Sequence, residues 1–281
     1  MRNFLEKKNI VGAMMVSRCG DILHHTIPAL LKWTDRIIIM LDNEDRKTRR
    51  IVENYKKQYS KRVEIFDSNV RNSLGGKWTK DAHETRVRGL FKRFNTIQGE
   101  IREVMLQHIL GLIKGGEKID IVMAPDSDEL FSDHVEVILK QLAGQDDKKA
   151  VIMKPVDVFG DMFTVRQECM HTHLRIFKPD LQQTFTPYKG LCHIYPIEKK
   201  QKIRVMRLNV HLAMLTQEKR QWRLDHWKWK IAENWDNYLN TKLWHLEKEA
   251  NRYTPEEYGE IFSSPHDLTI KQYLKENNLK L

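Results

Sequence analysis

The stretch Ala124–Phe131 reads APDSDELF and sets two aspartates two positions apart, Asp126 and Asp128, with Glu129 directly after. In extended backbone the side chains of residues i and i+2 share a face, so two carboxylates can approach one cation. Hard oxygen ligands of this kind suit Mg²⁺ or Mn²⁺, which keep positions open for phosphate oxygens. Such an ion bridges a diphosphate and offsets charge as a nucleoside diphosphate departs. A D-x-D pair is also common in turns, or as an N-cap, here for a helix beginning near Ser132. Its place in the chain adds weight to the metal reading, because it follows an apolar run that has the character of a buried strand.

The elements that must position these acids follow from hydrophobic periodicity. Short apolar runs at Ile10–Ser17, Arg36–Leu41, Val63–Phe66 and Asp120–Ala124 read as buried strands. Helical spacing marks Asp21–Trp33 and Arg46–Tyr59, and a period of four runs from Ile97 to Ile113. Strands alternating with helices, and apolar on both faces, predict a parallel sheet covered on both sides. Ligands of such sheets sit beyond the carboxyl ends of the strands. Those positions hold Ser17-Arg18, Asp42-Asn43, Asp67-Ser68-Asn69 and Asp126 to Glu129. In the second half, Ala150–Asp157, His173–Lys178 and Val205–Leu212 read as strands. From Lys219 onward the chain is helical in character and rich in Trp.

The chain has 281 residues, 41% hydrophobic and 9% aromatic, which excludes disorder. No apolar run approaches ~18 residues, so no membrane-spanning helix is expected. The N-terminus lacks the pattern of a secretory signal, and Cys19, Cys169 and Cys192 have no paired spacing. These features point to a cytosolic protein, with peripheral membrane attachment left open. The formal charge is +10, of which residues 1–120 hold 24 Lys and Arg against 15 Asp and Glu. An anionic partner for that half competes with solubility alone. The segment Arg71–Phe94 carries seven bases and two acids. No G-x-x-x-x-G-K-[ST] or G-x-G-x-x-G is present, which argues against a P-loop ATPase and a dinucleotide-binding dehydrogenase.

Taken in order, these pieces resemble the GT-A fold glycosyltransferases, family 2-like. The matching segments are IVGAMMVSRCGDIL (10–23), RIIIMLDNEDRKTRRIVENY (36–55), Arg102 ahead of the acids, APDSDELF, HLRIFK (173–178) and RLNVHLAML (207–215). The resemblance covers about residues 8–225. It implies an α/β fold, a GT-A-like mixed and mainly parallel sheet flanked by helices, with a helical Trp-rich C-terminal extension. The implied domains are a catalytic unit of residues 1–218, with a nucleotide-sugar half (1–130) and an acceptor half (131–218), and the extension at 219–281. The resemblance also implies roles. Asp42 accepts from the base of a UDP-type donor, and Ser17 and Arg18 line that pocket. Arg102 touches the donor or braces the D-x-D loop. Asp126 faces the donor ribose or a metal-bound water. Asp128 holds Mn²⁺ or Mg²⁺, with His211 as a further ligand. The chain departs from the family at Arg46-Lys47, where an Asp-Asp pair is usual before the Thr.

An inverting sugar transfer needs a carboxylate beside the acceptor hydroxyl. The candidates are Asp157 and Asp161 in KPVDVFGDMF, with Glu129 as a competitor; each also reads as an ordinary structural acid. His171 and His173 share a strand face, yet no third ligand stands near in sequence, so a structural role is expected. The basic-aromatic run 217–230 can stack sugars or bases, lie on a membrane surface, or pack as an amphipathic helix. The expected acceptor is a hydroxyl of a glycan or of a hydroxymethylated base in DNA, the latter as for a phage-encoded protein acting in its host's cytoplasm. The competing classes are a nucleotidyltransferase, for which SRCGD at 17–21 is a poor glycine-rich match, and a non-catalytic nucleic-acid-binding protein.

Overall fold

The computed structural model describes residues 8–16, 20, 22–41, 46–67, 102–159, 161–166, 173–188, 191–195, 197–214 and 250–252. The first half builds as its periodicity predicts. Strand β1 (Ile10–Val16) leads to helix α1 (Leu23–Trp33), β2 (Arg36–Leu41), α2 (Arg46–Gln58) and β3 (Val63–Asp67). Helix α3 spans 102–114 and precedes β4 (Ile121–Met123). Then come β5 (Glu129–Phe131), α4 (Val135–Gly144), β6 (Ala150–Phe159), β7 (Asp161–Arg166) and β8 (His173–Phe177). The last described elements are β9 (Thr184–Tyr188), β10 (Leu191–Tyr195), β11 (Lys202–Met214) and β12 (Ala250–Arg252).

Ten strands form one mixed sheet in the order β12-β7-β6-β8-β4-β1-β2-β3, with β11 pairing β6 and β5. Strands β3, β2, β1 and β4 are parallel. Beyond β4 the pairing turns antiparallel, through β8 to β6, and β11 lies parallel to β6. The expectation of a parallel sheet therefore holds for the first half, and the α/β class of mixed sheet flanked by helices holds for the whole. Two reversals across β8 restore the direction, so β6 and β11 run with β4. One sheet edge thus collects the carboxyl ends of β1, β2, β4, β6 and β11 and the amino ends of β7 and β8. Strands β9 and β10 form a separate hairpin.

Alternation along the strands splits the core in two. On one face Ile10, Met14, Ile37, Ile39, Ile121 and Met123 pack with α1, α2 and α4 through residues such as Leu23, Ile27, Val52 and Leu139. On the other, Val11, Ala13, Ile38, Met40 and Val122 pack with α3 through Met105, Leu106, Ile109 and Leu110. Close packing of α1 needs Gly12: a Cβ there would lie 2.9 Å from Leu30 Cδ2 and 3.1 Å from Ile37 Cγ1. Pro28 lies inside α1 and has no N–H for the carbonyl of His24. The Tyr55 hydroxyl of α2 donates to that carbonyl at 3.3 Å. The carboxyl end of α1 is held by Arg62, whose guanidinium donates to the carbonyls of Leu31, Thr34 and Asp35.

Short strands escaped the sequence pattern. β5 is three residues long, and β9 contains Pro187, which argues against a strand by sequence. Of the expected helical extension, Ala250–Arg252 is described, and it is a strand pairing antiparallel with β7. The rest of 219–281 lies outside the described residues, as do Arg71–Phe94 and the run 217–230. Among the described residues no helix is long and apolar enough to cross a membrane.

Candidate functional site

Asp126 extends the line of β4. It forms an isolated parallel bridge with Met15 at the end of β1, which puts the D-x-D loop at the shared edge. Backbone bonds hold that loop from two directions. The Ala124 N–H donates to the Arg175 carbonyl at 2.6 Å, and the Leu212 N–H donates to the Asp128 carbonyl at 2.7 Å. Strands β8 and β11, both from the second half, therefore clamp an acid loop from the first.

A charge cluster built on two buried residues braces the loop. Arg175 is 2% exposed and Glu129 2%. Arg175 Nε donates to Glu129 Oε2 at 2.6 Å and its Nη2 donates to Glu129 Oε1 at 2.7 Å, a two-pronged pair. The same Nη2 donates to Asp126 Oδ2. It also lies 2.6 Å from His173 Nδ1. A guanidinium can only donate, so Nδ1 accepts and the imidazole proton sits on Nε2. Arg102, in the first described turn of α3, donates through Nη2 to Asp126 Oδ1 at 2.5 Å. Asp126 N–H donates to Glu129 Oε2 at 3.1 Å and closes the ring. Arg102 also lines an apolar crevice with Met15, Met105, Ala124 and Pro125.

The electrostatics follow from this packing. Burial alone raises the Asp126 carboxyl, but Arg175 and Arg102 outweigh it and hold the group far below the usual carboxylate range. For Glu129 burial dominates, Arg175 offsets part of it and the charge on Asp126 adds to it, so the carboxyl is pushed up. The two acids are one coupled pair in which Asp126 takes the charge first. Burial, and then Arg175, drive the His173 imidazole down to about 3, so it is neutral at pH 7. Burial lowers Arg175, but Asp126 and Glu129 more than restore it, and the guanidinium stays charged.

Asp128 pairs with the second half of the chain. Its Oδ1 lies 3.5 Å from His211 Nε2, with side chains 15% and 17% exposed. Strand register puts His211 opposite Glu129 on β5 and beside Asp157 on β6. Asp161 begins β7, with its Cα paired to Phe159. Asp157 and Asp161 thus sit by backbone at the same sheet edge as the D-x-D loop. The side chains of these two acids, and Ser17, Arg18 and Asp42, lie outside what the structure describes, as does His171.

Sequence reasoning brought Arg102, Asp126, Asp128, Glu129 and His211 together, as the structure also does. It missed Arg175 and set His173 aside. A signal existed. A strand reading HLRIF, apolar around one arginine, has to provide that charge with buried partners. His173 joins Asp126 and Glu129 in a group whose ligand-type atoms lie within 4.8 Å of one another.

No family model and no curated protein sequence matches the chain. Among solved structures, S. aureus TarS is similar at 11% identity and a TM-score of 0.42, over 77% of this chain and 38% of the TarS chain. The TarS fragment 1–349 is similar at 12% identity and a TM-score of 0.42, over 83% of this chain and 75% of the fragment. The same fragment in complex with UDP is similar at 12% identity and a TM-score of 0.39, over 64% of this chain and 50% of that one. The chain spans well under half of the longer TarS chain.

Proposed function

We propose that the protein is a glycosyltransferase that moves a sugar from a nucleotide donor to a hydroxyl acceptor. The observation that carries this reading is the pairing of Asp128 with His211 at the carboxyl edge of the sheet, beside the Arg175 cluster that holds the D-x-D loop. The segments 10–23 and 36–55 supply the resemblance that makes UDP the expected nucleotide. A non-catalytic nucleic-acid-binding protein would have no use for paired strand-end acids braced this tightly.

Asp128 and His211 bring one hard oxygen and one imidazole nitrogen together, a donor set that fits one Mn²⁺ or Mg²⁺. Both oxygens of Asp126 are already engaged by guanidinium groups, so its role is to order the loop and to face the donor ribose. When bound, the ion supplies charge stabilisation for the departing diphosphate. The chain's own residues do the rest. Arg102 and Arg175 fix the loop, and Asp128 holds its position through the bond from Leu212 N–H. In an inverting transfer, the acceptor hydroxyl oxygen bonds to the anomeric carbon as the bond from that carbon to the diphosphate oxygen breaks. The hydroxyl proton passes to a carboxylate. Asp157 and Asp161 are the proposed bases, because their backbone lies at this edge and Glu129 is sealed beneath Arg175. The catalytic unit is proposed to comprise residues 1–218, with 219–281 as an extension.

Release of UDP from a panel of UDP-sugars, with Mn²⁺ and a hydroxyl acceptor, tests the reaction. Turnover in the native chain that drops at least a hundredfold in Asp128→Asn is expected; unchanged turnover in that variant sinks the site assignment. The acceptor is read separately from binding to plain and hydroxymethylated duplex across a salt series. A DNA acceptor gives a log affinity falling linearly with log salt, and flat, weak binding favours a glycan.

A further inference from the structure

The three ligand-type groups of the cluster converge on a single atom. Asp126 Oδ2, Glu129 Oε1 and His173 Nδ1 all meet Nη2 of Arg175, the last two at 2.7 and 2.6 Å. That nitrogen carries two hydrogens and faces three acceptors. Convergence of two carboxylates and an imidazole on one centre is the geometry of a metal ion, and here a guanidinium nitrogen occupies the centre. The charge count agrees. Asp126 and Glu129 are matched by Arg175 and Arg102, so a divalent ion added to the cluster would leave two positive charges without partners. An ion and Arg175 therefore exclude each other. The Arg175 backbone is fixed as well, because its carbonyl accepts from Ala124 N–H.

We infer that Arg175 is the resident cation of a three-ligand site, standing where a divalent ion would otherwise join Asp126, Glu129 and His173. It is a positioning residue. It keeps the edge to one metal ion, at Asp128 and His211, a corollary that rests on the proposed function. A second ion bound at the cluster would draw Asp126 and Glu129 toward itself and change the loop that carries Asp128. The guanidinium, with Arg102, balances the two acids through a fixed, planar geometry that does not depend on metal supply.

The test is a Mn²⁺ count on the full chain by electron paramagnetic resonance, with circular dichroism as the check on folding. The native chain binds one ion and Asp128→Asn binds none. Arg175→Met gains one ion, and His173→Ala in that background removes it. Arg175→Lys, which keeps a cation, gains none. A folded Arg175→Met with no added ion overturns the inference. Should Arg175→Met fail to fold, the Asp128→Asn chain decides: absence of a bound ion supports the inference, and an ion that is lost on adding His173→Ala overturns it. None of these counts requires a nucleotide. A native chain that binds no UDP sinks the proposed function and leaves the gain on Arg175→Met readable. A native chain that binds UDP and two Mn²⁺ sinks this inference alone.

Discussion

Glu129 shows how a single buried side chain separates two roles. A general base needs access to the acceptor, whereas Glu129 is 2% exposed and spends its oxygens on Arg175 and the Asp126 N–H. Removing one partner of a buried ion pair typically costs about 3–5 kcal/mol, because the other charge is left without compensation. Glu129→Ala is therefore expected to lower the melting temperature by roughly 10 °C, as read by calorimetry. A base would behave differently, losing turnover at unchanged stability. His173 makes a second prediction, in pH. Its folded value, driven by burial and then Arg175 to about 3, lies below its ordinary 6.5. The unfolded chain thus binds a proton at this residue that the folded chain refuses. Stability from His173 is complete above pH 6.5 and is lost as pH falls toward 3, at up to about 1.4 kcal/mol per pH unit. Glu129, shifted upward by burial, works in the opposite sense just above its ordinary range. The clean measurement is the difference in urea stability between the native chain and His173→Asn at pH 7 and pH 4.5. That gap should narrow at the lower pH, and a gap independent of pH would remove the neutral-imidazole assignment.

At the scale of elements, helix α1 meets strand β1 closely at Gly12. Leu30 is 2% exposed, and a Cβ at position 12 would press on its Cγ and Cδ2. Gly12→Val forces α1 off the sheet and is expected to cost about 1–3 kcal/mol, measured as a lower denaturation midpoint. Tyr55→Phe removes the donor that serves the carbonyl stranded by Pro28, at about 0.5–1.5 kcal/mol. Strands β1 and β2 were legible because unbroken apolar runs fix burial on both faces, and helix α1 because its apolar spacing fixes burial on one. Gly12 and Pro28 gave no such signal, since their meaning depends on which helix lies opposite. The same limit applied to the site. Asp126, Asp128 and Glu129 are neighbours in sequence and announced themselves. Arg175 and His173 come from a strand whose antiparallel place beside β4 no local pattern specifies. The turn from parallel to antiparallel pairing was hidden for that reason: direction is set by connections, not by the composition of the strand.

For the molecule as a whole, the relevant fact is how far apart in sequence the site residues lie. Arg102, Asp126, Glu129, His173, Arg175 and His211 come from α3, the D-x-D loop, β5, β8 and β11. One contiguous sheet, with α3 packed on it, joins them, so a ligand at this edge ties the first 130 residues to the strands of the second half. The charge of the first half acts in the same direction. Helix α2 alone carries Arg46, Lys47, Arg49, Arg50, Lys56 and Lys57 against Glu53, and it starts at the sheet edge where the donor is proposed to bind. A positive field over that edge draws in an anionic donor and weakens as salt rises. A ligand that binds only the folded state stabilises it by about 2.7 kcal/mol at a hundred times its dissociation constant. For a chain of this size that corresponds to a rise of roughly 5–10 °C in melting temperature. UDP with Mn²⁺ is expected to give such a rise in one cooperative transition, smaller at high salt and absent in Asp128→Asn. An equal rise without metal would place the diphosphate on the basic residues alone. Two separate transitions, with one unmoved by the ligand, would show that the halves melt independently and that the shared sheet does not carry the coupling argued here.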